Sequence, residues 1–356
     1  MARYRKYGKS TKLVYTLFAA VLLELVLLVG VTAYALNHPA AKAPDALPSV
    51  QENTESAQSS GQTGQVLSAS PRPELPEEKE KPAGERNGWD ILTEAGLVAH
   101  GLGEVDGVAT LNCLEGFQQQ YEKGVRAFEV DLRLTADQQV VLRHDWRAGW
   151  QAGISEVSIP TLKEFLTRPL LKEYTPLSFK DLLLLMEQYP DVCIITDTKF
   201  TEAEIVTMQF EAMLRDAEEL GLSYLFDRMV IQVYDALMFK VVDNIHHFEN
   251  YIYTLYNDGF TTTVSDFRER AAFCAENGIR GITMWDRWWR TAFMPIMEEY
   301  DIPVFTHTVN DPEDARKLLG SGVSGIYTDS LVPDELTPPE EETIQDSSDT
   351  PLEGEE

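Results

Sequence analysis

Cysteine is scarce in this chain. Cys113, Cys193 and Cys274 lie far apart in 356 residues and show no metal-ligand spacing. That excludes a disulfide framework, and each thiol is expected to pack as a small apolar group. Positive charge is short too: 30 Lys and Arg face 58 Asp and Glu, a formal net charge of −28. Such a balance argues against nucleic acid, or an anionic membrane surface, as a partner of the folded part. No basic residue follows Lys317, and the sequence closes on PPEEETIQDSSDTPLEGEE. Residues 337–356 therefore read as an acidic, disordered tail. Phe, Tyr and Trp are missing from 37–88, which is rich in Pro, Ser, Gln, Glu and Ala. That segment reads as a flexible stalk, because it has too little apolar surface to order itself. No G-x-G-x-x-G follows the first strand candidate, so the dinucleotide-binding signature is absent.

The one long hydrophobic run lies at residues 13–36, with Glu24 as its single charge. Its length suits a bilayer, which takes about 20 such residues. Arg3, Arg5, Lys6, Lys9 and Lys12 fill the basic segment 1–12 before it. Positive flanks stay cytoplasmic, so a signal anchor here would hold the rest of the chain outside. A cleaved signal peptide is the rival reading, since Ala33-Tyr34-Ala35 forms an A-x-A site.

Between 89 and 336 strand-like and helix-like segments alternate. Strands are expected at 97–100, 127–132, 192–197, 229–233, 251–255, 281–285, 303–307 and 325–328. A further run, 139–144, would fold back on 127–132 through Ala136-Asp137-Gln138. Helical patterns fill 201–219, 262–277 and 311–320, the last opened by Asp311-Pro312, a cap followed by proline at the first helical position. Eight strands alternating with helices predict an α/β fold, a (β/α)8 TIM barrel.

Barrel enzymes carry their chemistry at the C-terminal ends of the strands. Those ends hold His100, Glu129 and Asp131, Asp197 and Lys199, Gln232, Tyr256, Trp285 and Asp286, His307 and Asp329. Glu129 and Asp131, two apart on a strand, point the same way and can share one cation. With His100 and His144 nearby, the set suits metal-assisted hydrolysis. Gln232 and Tyr256 are candidates for holding substrate hydroxyls. Trp285-Asp286-Arg287-Trp288-Trp289 concentrates aromatics where they can meet a substrate group or simply fold over the rim, and Trp146 and Trp150 face the same choice. His246-His247 reads as surface. His307 can line the pocket or serve the core.

The motifs VAHGLG (98–103), LNCLEGF (111–117), GVRAFEVDLRLTADQQVVLRHDW (124–146), TDTK (196–199) and YTD (327–329) together resemble the glycerophosphodiester phosphodiesterase family, within the wider phospholipase-C-like phosphodiesterase barrels. The resemblance implies that Glu129, Asp131 and Asp197 hold a divalent cation, Ca²⁺ or Mg²⁺. It implies that His100 and His144 act as general base and general acid, and that Lys199 neutralises phosphate charge. The substrate would be a glycerophosphodiester or a glycerophosphate polymer of the cell envelope. Three positions depart from the family pattern. Gly101 stands where the family has arginine, Leu111 and Cys113 replace the outer members of Glu-Asn-Thr around Asn112, and Asp197 replaces a glutamate. The loop 101–107 could then offer backbone N–H groups in place of the arginine. Two other readings remain open: a lyase releasing a cyclic phosphate, and a barrel that binds envelope material without cutting it.

Overall fold

The computed structural model describes residues 76–146, 149–151 and 153–337. The expected span at 13–36, most of the stalk and the tail beyond 337 lie outside the described residues. Among the described residues no helix is long and apolar enough to cross a membrane.

Nine strands form: β1 (Leu97–Ala99), β2 (Ala127–Leu134), β3 (Val140–Leu142), β4 (Cys193–Asp197), β5 (Met229–Val233), β6 (Tyr251–Thr254), β7 (Gly281–Trp285), β8 (Val304–His307) and β9 (Gly325–Thr328). All but β3 pair in parallel, and β1 hydrogen-bonds both β2 and β9, so eight strands close into a barrel. The helices between them end where sequence chemistry says they should. Asp311 accepts from the N–H groups of Glu313 and Asp314 at the start of helix Pro312–Gly320, and Gly221 stops helix Ala203–Leu220 in a left-handed turn.

The ninth strand-like run behaves as expected. β3 lies antiparallel on the outer part of β2, with Leu132 opposite Leu142 and Leu134 opposite Val140. Gln138 takes a positive φ of 57° in the turn. The N–H of Arg143 then donates to the carbonyl of Asp131 at 2.8 Å, which carries the chain back to the barrel mouth and sets His144 there.

The two ends of the barrel are built differently. Its interior is filled by Val98, Ala127, Cys193, Ile195, Val230, Ile252, Phe305 and Tyr327, and helix Gly88–Ala95 adds Trp89, Ile91 and Leu92 to that cluster. A Cβ on Gly281 would come within 2.6 Å of the Trp89 ring, so only glycine admits this plug. The opposite end is polar and holds the strand-end residues named above.

The domain's contacts begin before Trp89. The N–H of Lys79 donates to the carbonyl of Gly221 at 2.9 Å, and Lys81 pairs with Asp227 at 2.7 Å. Glu85 meets Arg228 at 2.6 Å, both side chains almost fully buried. Arg228 also donates to the carbonyls of Met186, Tyr189 and Val192. Composition alone places 76–88 in the stalk, because a lone glutamate looks solvated until its buried partner is known. Removing one member of a buried pair leaves the other charge uncompensated. Glu85→Ala is therefore expected to lower the unfolding free energy of the full chain by about 3 kcal/mol, read by denaturant titration. A loss within error would show that Arg228 is satisfied by carbonyls alone.

Candidate active site

The site starts from strand pairing. β2 and β4 are neighbours with Asp131 in register with Asp197. Period-two alternation adds Glu129 to the same inner face. Glu129, Asp131 and Asp197 are 2 %, 0 % and 5 % exposed, and one oxygen of each lies within 4.8 Å of the others. Burying three carboxylates together is costly unless cations compensate. One cation is present. The Lys199 ammonium lies 2.6 Å from Asp131 Oδ1 and also contacts Asp197. Lys199 does not continue the strand face, as the spacing from Asp197 suggested. β4 ends at Asp197, and Lys199 turns in left-handed backbone, its N–H donating to the Tyr234 hydroxyl at 3.1 Å, so that its side chain folds back over the carboxylates.

Three ionised carboxylates would exceed the one ammonium by two charges. Burial and the charge of Asp131 push the Glu129 carboxyl up to about 8. Burial works against the Asp131 charge as well, yet Lys199 and the two histidines hold its carboxyl below the usual range. Asp197 Oδ1 is buried without a hydrogen-bond partner. Hard oxygen donors, surplus negative charge and an orphaned carboxylate oxygen fit a divalent cation.

Neighbouring groups fix these ligands in place. Asn112 donates from Nδ2 to Asp131 Oδ2 at 2.6 Å and accepts the Asp131 N–H at 2.9 Å. The N–H of Gly101 donates to Glu129 Oε2 at 2.6 Å. The N–H groups of Gly103, Glu104 and Val105 go to the carbonyls of His100, Asp329 and Val108. Four of the seven loop amides expected to replace the missing arginine, those of Gly101, Gly103, Glu104 and Val105, are thus already engaged. Arg143, the other neighbouring guanidinium, is buried and donates to the Asp145 carbonyl, with its charge over the Trp150 ring.

Each histidine has a carboxylate behind it. His100 Nδ1 lies 2.8 Å from Asp329 Oδ1, while Asn310 donates to the other oxygen of Asp329 at 2.7 Å. His144 Nδ1 lies 3.0 Å from Asp145 Oδ2. Both pairings leave Nε2 for the pocket. Burial disfavours the His100 imidazolium, but the Asp329 hydrogen bond and the charges of Glu129 and Asp131 outweigh it and push the pKa up to about 9. His307 goes the other way. Burial and the positive charge of His100, Lys199 and Arg287 press it down to about 3.

A cavity of about 270 Å³ joins these groups, lined by His100, Glu129, His144, Asp197, Lys199, Gln232, Tyr256, Trp285, His307, Thr308 and Tyr327. Asp131 lies beneath it. The structure thus brings together His100, His144, Glu129, Asp131, Asp197, Lys199, Gln232 and Trp285, whereas Asp286 is exposed and does not line the cavity. Trp146 is not among them. It packs in a separate core cluster with Val141, Ile154 and Phe165. His247 pairs with Asp243 on the surface, as its composition suggested. Asp329, read at a strand end without a role, turns out to support His100, and Asp145 and Asn112 act as supports whose roles the strand-end reading did not give.

The model of the glycerophosphoryl diester phosphodiesterase family matches residues 107–332, more than half of the sequence. The chain belongs to that family. The enzyme also shares its fold with solved structures. An Oleispira antarctica phosphodiesterase, solved in complex with the product sn-glycerol-3-phosphate, is 15% identical, with a TM-score of 0.54 over 65% of this chain and 92% of its own. A glycerophosphodiester phosphodiesterase from Parabacteroides distasonis is 16% identical, with a TM-score of 0.53 over 67% and 94%. One from Agrobacterium tumefaciens is 16% identical, with a TM-score of 0.50 over 66% and 96%. At these identities the likeness speaks to the barrel, and the family assignment makes the chain a phosphodiesterase.

Two outcomes follow from the geometry. Replacing Asp329 by Asn keeps the hydrogen bond but removes its charge, so the His100 pKa should fall by about one pH unit or more in an NMR titration of its Cε1–H. An unchanged value would show that Glu129 and Asp131 alone set it. Divalent-cation binding must displace the Glu129 proton below its raised pKa. Calorimetric affinity for Ca²⁺ or Mg²⁺ should therefore weaken as pH falls below about 8 and level off above it.

Proposed function

We propose that this phosphodiesterase hydrolyses glycerophosphodiesters to glycerol phosphate and an alcohol. The observation that carries the reading is the meeting of two carboxylate-backed histidines with a three-carboxylate cation site at one cavity. Glu129, Asp131 and Asp197 would hold Ca²⁺ or Mg²⁺, which would supply Lewis-acid stabilisation of charge on the phosphoryl oxygens. Lys199 already neutralises Asp131 and Asp197 and is placed to meet an anionic phosphate as well. Gln232 and Trp285 line the same cavity and would bind the remainder of the substrate.

The two histidines divide the proton work. Asp329 lies outside the carboxylate trio, so its support of the His100 imidazolium persists when a cation compensates the others. His100 would thus carry a proton near neutral pH and deliver it from Nε2 to the departing alcohol oxygen. That reverses the order in which the resemblance named the two. His144, oriented by Asp145, would take a proton from the attacking water. The water oxygen bonds to phosphorus as the P–O bond to the alcohol breaks. If a substrate hydroxyl attacks instead, the same pair would form a cyclic phosphate.

The apolar length of 13–36 and the basic residues before it support an anchor with the barrel outside the membrane. That placement favours glycerophosphate material of the cell envelope as substrate.

Hydrolysis of glycerophosphoethanolamine by the full chain should be lost on chelation and restored by Ca²⁺ or Mg²⁺, with phosphorus NMR separating a monoester from a cyclic product. His144→Ala should lose about 10²-fold or more on every substrate while its circular dichroism stays unchanged. His100→Ala should lose as much on alkyl esters but far less on an aryl phosphodiester, whose leaving group needs no proton. Equal losses on both ester types would overturn the acid role of His100.

A further inference from the structure

The rim of the cavity carries two arginines that the reaction outlined above does not use. Arg287, exposed in the short helix Asp286–Trp288, places its guanidinium 3.5 Å from the centre of the Trp285 ring. Trp288 packs against the same indole with ring centres 4.8 Å apart. Across the mouth, Arg133 at the outer end of β2 donates from Nε to the His144 carbonyl at 3.1 Å and lies over the Phe200 ring. Among the described residues no carboxylate pairs with either guanidinium. The charge of Arg287 reaches His307 and that of Arg133 reaches Tyr256, and both of these residues line the cavity.

Elsewhere Arg126, Arg228, Arg268 and Arg270 find carboxylates, while Arg280, Arg290 and Arg316 are held by amide or backbone oxygens away from the cavity. Two guanidiniums left with aromatic partners at one cavity mouth are positioned for an anion supplied from outside, and the fork geometry of arginine suits phosphate oxygens. The same contact disfavours another substrate chemistry. A quaternary ammonium head group would seek an indole face, and on Trp285 a guanidinium already occupies that position.

We propose that the alcohol leaving group carries a second phosphate, which Arg287 and Arg133 bind at the rim while His100 and His144 act on the diester below. The enzyme would then select phosphorylated glycerol units over choline or ethanolamine esters. This specificity rests on the phosphodiesterase reading above and deepens it. Lys199 handles the reacting phosphoryl group, and Arg287 reads its neighbour along the substrate.

Three substrates of the full chain with added Ca²⁺ or Mg²⁺ decide the matter: glycerophosphoglycerol, the same compound with a terminal phosphate, and glycerophosphocholine. The wild type should show its highest kcat/KM on the phosphorylated compound, with KM rising as salt screens the contact. In Arg287→Gln the ratio of kcat/KM for phosphorylated over plain glycerophosphoglycerol should fall about tenfold, equivalent to roughly 1.4 kcal/mol. Arg287→Lys keeps the charge and should retain part of the ratio, which a purely stacking role would not. Cleavage of all three with equal kcat/KM, or an Arg287→Gln loss of the same size on each, would overturn the proposal and leave the phosphodiesterase reading intact. Cleavage of none under either cation would overturn both.

Discussion

Surplus negative charge in a dry place governs this molecule. Three carboxylates are buried at the mouth of a closed barrel with one ammonium among them. Most of the surrounding structure serves to hold that unfavourable arrangement. Asn112 grips Asp131 by its side chain, which also accepts the Asp131 N–H, the Gly101 amide ties Glu129, and the left-handed turn at Lys199, bonded to the Tyr234 hydroxyl, brings its side chain back across the cluster. The strain is tolerated because the remainder of the barrel has no such demand. Its interior is apolar and is closed at the far end by helix Gly88–Ala95. Stability and chemistry are thus assigned to opposite ends of one sheet, as is usual for barrels.

The sequence made much of this legible because strands have a period of two. Once β2 is recognised, Glu129 and Asp131 must share a face, and the β2–β3 hairpin returns His144 toward them. Strand-end residues on the remaining strands follow by the same rule. Legibility stopped where a side chain's position depends on irregular backbone or on distant partners. Lys199 sits after the strand in a left-handed turn, so spacing from Asp197 gave the right neighbour by the wrong path. Asp329 reaches His100 across 229 positions and only because the last strand closes on the first. Glu85 looked like part of a linker, since nothing local marks Arg228 as its buried partner.

Replacements that seem to weaken the site also have local compensations. Gly101 removes a side chain, and at φ 55° its backbone approaches Thr110 and delivers an amide to Glu129. A side chain there would meet the Thr110 backbone at 2.6 Å. On the proposed reading, positive charge for an anionic substrate would come instead from elements far apart in sequence, from Lys199 after β4, Arg133 on β2 and Arg287 after β7.

Closure of the barrel has a temporal consequence. The carboxylates that would take the cation come from β2 and β4, adjacent strands in the first half of the domain, whereas His100 is aligned by Asp329 just after β9. In a chain emerging from synthesis, every carboxylate of the cation pocket is made before the last strand exists. Alignment of His100 waits for the final seam to form. Alignment of His100 is thereby linked to completion of the domain, since a chain lacking β9 and Asp329 has no partner for its Nδ1.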